Sequence, residues 1–326
     1  MESLSKFEPV ETFKPVETKD GSSTFYSPAF GEWYHNREGA YNEARETYAE
    51  TAQLARRAQG HTHPKTLNIL DICYGLGYNT AAALETILAI KHHAPVELKA
   101  LEIDIEVSRR AIAQGLTQQY PPAVQSILQA IATHQSAEHD RVSAQLLIGD
   151  ARQQIQYLLD QGWQADVIFL DPFSPPNCPQ LWTVEFLQKV AQCLNAERGV
   201  LITYSCAAAV RTALTLTGLE IGAIRTGGRR WPGTIARYPQ IRHPQIHHPQ
   251  TADATTQDAT IHPEALPPLS QQEIEHLQTR AAVPYRDPTL RATAVDIRTR
   301  RSAEQANSTL LPTQPWRRRW QARKKG

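Results

Sequence analysis

The sequence predicts an α/β fold with an open, largely parallel sheet, and three observations carry that prediction. The apolar run Leu67–Ile72 leads into a turn with two glycines, Gly75 and Gly77, and then into the helix-like Ala81–Leu84. Further strand-like runs recur at Val96–Asp104, Ala144–Gly149, Ala165–Leu170 and Gly199–Ser205, separated by helical stretches, as a parallel sheet requires. Asp71, Glu102, Asp150 and Asp171 all fall at the carboxyl ends of these strands, where open α/β sheets place their ligands.

Composition narrows the class. The chain has 326 residues, 41% of them hydrophobic, which suffices for one large core with appendages. A net charge of +1 advertises no overall affinity for polyanions, although the C-terminal end holds Arg317, Arg318, Arg319, Arg323, Lys324 and Lys325 with no acid among them. Cys73, Cys178, Cys193 and Cys206 lie far apart, with no CxxC pair and no signal peptide upstream; this reads as a reduced, cytoplasmic pattern without a metal. No apolar run reaches the roughly 18 residues of a membrane span.

Residues 1–20 are polar, with a near-repeat of Phe-x-Pro-Val-Glu-Thr, and read as a disordered arm. Residues 21–66 carry an aromatic block, with Ser23–Ser27 and Phe30–His35 as a candidate hairpin and 38–59 as helix; they form either a cap on the sheet or a lid over a ligand. The domain proper is expected over 67–235. Its first turn lacks the third glycine of GxGxxG, since Thr80 stands there, and Asp71 before it would repel a pyrophosphate. A positively charged nucleoside fits better, and S-adenosylmethionine is one. Gly75 and Gly77 allow the tight turn and close ligand approach, with Tyr74 between the strand and the first glycine. Glu102 is the candidate for both ribose hydroxyls, with Asp104 in reserve. Asp150 can accept from an adenine amine or cap the helix of residues 151–160. After the fourth run, Asp171-Pro172-Phe173-Ser174-Pro175-Pro176 is a proline-rich loop that delays the next helix.

Helices are expected at Trp182–Leu194 and Ala208–Thr217, followed by a basic, glycine-rich loop with Arg229 and Arg230. Residues 236–268, with a Pro-Gln motif every five residues, read as a disordered insertion in which His243, His247 and His248 belong to a polar tract and not to a metal site. The C-terminal segment 269–326 is expected to hold a short helix at 270–282, an ordered turn at Pro284–Pro288 and the basic tail.

Asp171-Pro172-Phe173-Ser174-Pro175, Pro179-Gln180-Leu181-Trp182-Thr183, Thr203-Tyr204-Ser205 and Val210-Arg211 together resemble the MnmC-type tRNA methyltransferases, as do Tyr26-Ser27, Gly31 and Glu43-Ala44-Arg45. The resemblance covers about residues 20–236 and the stretch near Pro284–Leu290. It implies a class I, Rossmann-like methyltransferase fold, S-adenosylmethionine as cofactor, and methylation of the primary amine of 5-aminomethyl-2-thiouridine at the tRNA wobble position. It puts Asp171 beside that amine, as orienter and possible proton acceptor, and Phe173, Trp182 and Tyr204 on the substrate side. The family's basic loop is matched only loosely by Gly228–Gly233. No second dinucleotide site is read in the chain, so other enzymes are expected to supply the aminomethyl group. Arg229, Arg230 and the basic tail are candidates for RNA phosphates, with Trp316 and Trp320 for base stacking. A small-amine methyltransferase or aminopropyl-transfer enzyme, and a non-catalytic tRNA-binding protein, are the alternatives.

Overall fold

The computed structural model describes residues 13–59, 66–228, 231–240 and 265–323. Its N-terminal part pairs β1 (Val16–Glu17) with β2 (Ser23–Thr24) and β3 (Tyr26–Ser27) with β4 (Glu32–Trp33), both antiparallel. The helix expected over 38–59 is broken into α1 (Ala40–Glu43), a π-helical stretch Ala44–Glu50 and α2 (Leu54–Ala58). The break falls at Gln53, whose φ of 53° lies in the left-handed region that interrupts a helix.

The domain then alternates β5 (Leu67–Ile72), α3 (Tyr78–Leu88), β6 (Val96–Glu102), α4 (Ile105–Ala113), α5 (Pro122–His134), β7 (Ser136–His139), β8 (Val142–Ile148), α6 (Ala151–Asp160), β9 (Val167–Leu170), α7 (Val184–Gln192), β10 (Val200–Thr203), α8 (Ala208–Leu216), β11 (Glu220–Ile224) and β12 (Gly233–Arg237). The sheet has eight strands in the order β11-β12-β10-β9-β5-β6-β8-β7. Its five central strands run parallel, while β12 and β7 are antiparallel to their neighbours. The hairpin strand β7 lies inside 105–140, a stretch whose composition reads as helix or loop.

Strand order reverses between β5 and β9. From β5 the chain builds outward through β6 and β8, then returns to add β9 and β10 on the other side. Helices therefore leave in opposite directions and a crevice opens between the two carboxyl ends. Side-chain alternation explains what faces it. Leu67 and Ile69 of β5, Val96, Leu98 and Ala100 of β6, and Val167 and Phe169 of β9 enter the core beneath α3 and α5. Asp71, Glu102 and Asp171 continue those rows, so three acids emerge on one face of the sheet. Leu70, Ile72, Ile168 and Leu170 face the other core, beneath α6, α7 and α8.

C-terminal to the domain lie α9 (Gln271–Leu277), a 3-10 turn Arg280–Ala282, α10 (Ala294–Asn307) and α11 (Thr313–Arg323). The basic tail is thus largely helical up to Arg323. α10 is announced by a capping box, in which Thr293 Oγ1 accepts from Asp296 N and the Asp296 carboxylate accepts in return. No described helix is long and apolar enough to cross a membrane.

Candidate active site

A cavity of about 900 Å³ occupies the crevice at the carboxyl ends of β5, β6, β8 and β9, and the N-terminal segment closes it from above. Its volume falls in the range of pockets that hold a nucleoside-sized ligand. Tyr74, Gly75, Glu102, Asp150, Asp171, Phe173 and Tyr204 line it, as do Asp104 and Arg152.

The glycine turn and Glu102 are one unit. Gly75 takes a φ of +54°, and its N–H donates to Glu102 Oε2 at 2.7 Å. Glu102 Oε1 accepts from the N–H groups of Ile103 (2.8 Å) and Asp104 (3.1 Å). Burial raises the pKa of Glu102, and these three donors work in the opposite direction. With about four lone-pair sites on a carboxylate, little acceptor capacity is left beyond Oε2. Bidentate capture of two hydroxyls by Glu102 therefore needs help, and Asp104 is at hand in the same wall. Asp104 also caps α4 through Glu106 N at 2.9 Å. Cys73, immediately before Tyr74, has a φ of 70°, an uncommon value for a residue other than glycine.

Asp71 and Gly77 lie outside the cavity lining. Strand parity turns Asp71 toward α3, where it is fully buried and accepts from Thr80 Oγ1 at 2.7 Å. Thr80, in the place of the third glycine, is thus the partner of the acid before the turn. Burial pushes the Asp71 carboxyl up to about 7. Gly77, at φ +86°, is required by packing: a Cβ there would stand 2.7 Å from the Tyr74 hydroxyl.

Asp150 caps α6, accepting from Arg152 N at 2.9 Å, and the Arg152 guanidinium closes on it at 2.7 Å. Arg152 also reaches Asp287 at 3.2 Å, which ties the cavity rim to the C-terminal segment. The capping role is present, and the carboxylate still borders the cavity.

Asp171 receives a hydrogen bond from Asn79 Nδ2 at 2.8 Å, delivered from the first turn of α3. The buried Tyr48 hydroxyl stands near it without a complete hydrogen bond. Burial pushes the Asp171 carboxyl up to about 6, opposed by His35 and reinforced by Glu43. Phe173 stacks on Phe30 with ring centroids 4.4 Å apart and meets Tyr34 edge-on at 5.0 Å. Trp182 is completely buried and absent from the lining; its indole N–H donates to Phe173 O at 2.8 Å, so it supports the wall from behind. Tyr204 donates to Pro172 O at 2.9 Å and fixes the same loop.

The N-terminal segment supplies a wall that composition left open between cap and lid. Phe30, Glu32, Tyr34 and His35 all border the cavity. Glu32 accepts from Ser174 N (2.9 Å), from the Ser174 hydroxyl and from Asn177 Nδ2 (2.7 Å), clasping β4 to the loop after β9. The density of aromatic residues before Tyr41 was the available signal; their partners, a hundred residues and more away, were not readable. Arg229, Arg230, Lys324, Lys325 and the histidines of 243–248 lie outside the described residues. Trp316 and Trp320 are engaged within the C-terminal segment, Trp316 stacked on His276 at 4.0 Å and Trp320 donating to Glu275 Oε2 at 2.9 Å. Among the described residues no group of three metal-ligating side chains occurs.

Five acidic side chains, Glu32, Glu102, Asp104, Asp150 and Asp171, border this cavity beside Arg152, and Arg152 is already paired. That set of acceptors suits a ligand with hydroxyl groups and positive charge, and the Gly75 turn brings backbone close to it. S-adenosylmethionine meets both conditions. Comparison with known proteins agrees. A family profile described as "S-adenosyl-L-methionine-dependent methyltransferase" matches residues 109–239. An uncharacterised protein of Methanocaldococcus jannaschii is 29% identical over 226 residues, 68% of this chain and 58% of that protein. The tRNA 5-methylaminomethyl-2-thiouridine biosynthesis bifunctional protein MnmC of Acidovorax sp. is 30% identical over 225 residues, 64% of this chain but only 33% of that protein. The crystal structure of MnmC2 from Aquifex aeolicus superimposes with a TM-score of 0.72 at 25% identity, covering 92% of this chain and 87% of that one.

Proposed function

We infer that the chain is an S-adenosyl-L-methionine-dependent methyltransferase of the MnmC-like kind, a reading supported by its similarity to such proteins, and on that premise we propose that it N-methylates the 5-aminomethyl group of a wobble uridine in tRNA. The observation that carries this reading is Asp171, a carboxylate poised near neutrality in the cavity wall, held by Asn79 and followed two residues later by an aromatic surface. The bound cofactor supplies an electrophilic methyl on a sulfonium. The Gly75 turn, Glu102 and Asp104 would hold its nucleoside end, and Asp150 would be available to its adenine amine.

Asp171 binds the incoming amine and aims its lone pair, since alignment of the reacting atoms is where most of the rate comes from. A carboxylate beside an amine stabilises the ammonium form, so orientation is the primary role and passage of the proton the second. Asn79 keeps the carboxylate in one rotamer. Phe30, Tyr34 and Phe173 exclude water and offer ring faces to a base. Tyr204 and Trp182 hold the Pro172–Phe173 backbone so that these groups stay in place.

The test is transfer of labelled methyl from S-adenosylmethionine to tRNA bearing an unmethylated aminomethyl wobble uridine. Wild type is expected to yield methylated tRNA. Asp171→Ala is expected to lose roughly 10²–10⁴-fold in kcat/KM, the span of positioned proton-handling groups, with cofactor binding retained. No transfer to that tRNA by protein that binds the cofactor would overturn the assignment, and transfer to free small amines would replace it with a small-molecule methyltransferase.

A further inference from the structure

Three arginines of the C-terminal segment are held by their neighbours. Arg286 pairs with Glu185 at 3.4 Å, Arg319 with Glu275, and Arg301 turns inward to donate to Val283 O at 2.7 Å while lying over the Tyr285 ring. These are structural. Arg291, Arg298 and Arg300 are exposed, and none has an acidic partner among the described residues.

Arg298 is placed beside the mouth of the cavity by its own contact, and Arg291 by that of its chain neighbour. Arg298 Nη1 donates to Pro176 O at 3.0 Å, in the loop whose Ser174 and Cys178 line the cavity. Arg291 adjoins Ala292, whose carbonyl accepts from Arg152 Nη1 at 3.1 Å, and Arg152 lines the cavity. Arg300 stands behind them, donating to Arg286 O at 2.8 Å. The nearby acids are committed: Asp150 and Asp287 to Arg152, Glu32 to Ser174 and Asn177, Asp296 to the cap of α10. None of these acids makes an ion pair with Arg291, Arg298 or Arg300, whose exposed guanidinium groups stand beside an acidic cavity that suits a cationic cofactor and amine.

We propose that Arg291, Arg298 and Arg300 form the phosphate-binding surface for the RNA strand on either side of the nucleotide whose amine enters the cavity. This rests on the RNA reading of the site. A nucleic acid with one modified base needs two electrostatic environments next to each other, acid for the amine and cation for the backbone, and the rim provides that boundary. The guanidinium fork matches phosphate geometry, and each phosphate neutralised releases counterions.

The experiment measures binding of the unmethylated tRNA to the full chain between about 50 and 300 mM salt, the range over which counterion release is read. It compares wild type, the triple variant R291Q/R298Q/R300Q and the charge-preserving R291K/R298K/R300K, with S-adenosylmethionine binding in parallel. The Gln triple is expected to bind tRNA at least tenfold more weakly, with a salt slope shallower by about 2, since each lost contact removes roughly 0.7–0.9. The Lys triple keeps the slope, and all three bind the cofactor alike. Wild-type affinity and slope in the Gln triple would overturn the proposal while leaving the tRNA reading in place. No tRNA binding or methylation by wild type would take both down together. If the Gln triple loses the cofactor as well, single R291Q and R300Q, away from the loop, decide by the same slope.

Discussion

Asp171 and Asp71 stand one strand apart, in the same face of the sheet, and burial raises both. Only Asp171 borders the cavity, so the two acids should separate cleanly by experiment. Asp171 must be ionised to take the amine's proton or to hold its ammonium form, and burial pushes its carboxyl up to about 6. The pH profile of kcat/KM, which reports the free enzyme, is expected to fall on the acid side with a limb near 6. Asp171→Asn is expected to abolish that limb along with most of the rate. A variant with the limb unchanged would assign it to another group. The residue scale is also where sequence reading was weakest. That Asp71 precedes the glycines was plain, but its direction depends on the parity of β5 against α3, and Thr80 as its partner follows only from the helix packing there. Glu102 was legible as a strand-end acid; the three N–H donors that occupy it belong to a turn whose path composition does not specify.

The hairpin of β3 and β4 is the element whose behaviour bears most on the site. It is short, and β4 is clasped to the loop after β9 through Glu32 and the Phe30–Phe173 stack. Two-residue strands have little stability of their own, so the clasp should govern how often the hairpin opens. Glu32→Gln weakens charge-assisted hydrogen bonds worth roughly 1.5–3 kcal/mol each at most. Amide exchange of Tyr26–Trp33 is expected to quicken about tenfold or more, while the β5 and β9 amides, protected by global stability, stay as they were. Equal exchange in wild type and variant would mean that the aromatic stack alone holds the hairpin. At this scale the sequence was informative where periodicity is strong. The parallel strands and the helices of the domain were readable; β7, the broken helix before Gly60 and α10 were not. α10 is too polar to show an apolar stripe, and its one legible mark was the Thr293–Asp296 cap.

For the whole molecule, buried acids make folding depend on pH in a particular direction. Asp71 binds its proton more tightly folded, at about 7, than in an unfolded chain near 3.8. Its contribution to stability is therefore full below about 3.8 and is lost as pH rises toward 7. Asp20, Asp287 and Glu273, whose values are lowered by their hydrogen bonds against an opposing burial effect, act in the opposite sense and lower down the scale. Thermal unfolding at pH 5 and at pH 8 is expected to show a smaller loss of Tm in Asp71→Asn than in wild type. A loss of equal size would mean that Asp71 ionises freely in the folded protein.

The alternation of apolar runs and glycine turns was enough to establish the sheet, its parallel core and the row of strand-end acids, because hydrophobic period and turn chemistry are local properties that each segment carries alone. It was enough, with the motif around Asp171, to point to S-adenosylmethionine. Which acids face the cavity, what clasps the hairpin over it, and which arginines stand at its rim depended on distant segments meeting. Glu32 finds Ser174, Arg152 finds Asp287 and Arg298 finds Pro176 across more than a hundred positions. No local pattern encodes such encounters, since they are settled by how the layers pack and not by the residues on either side.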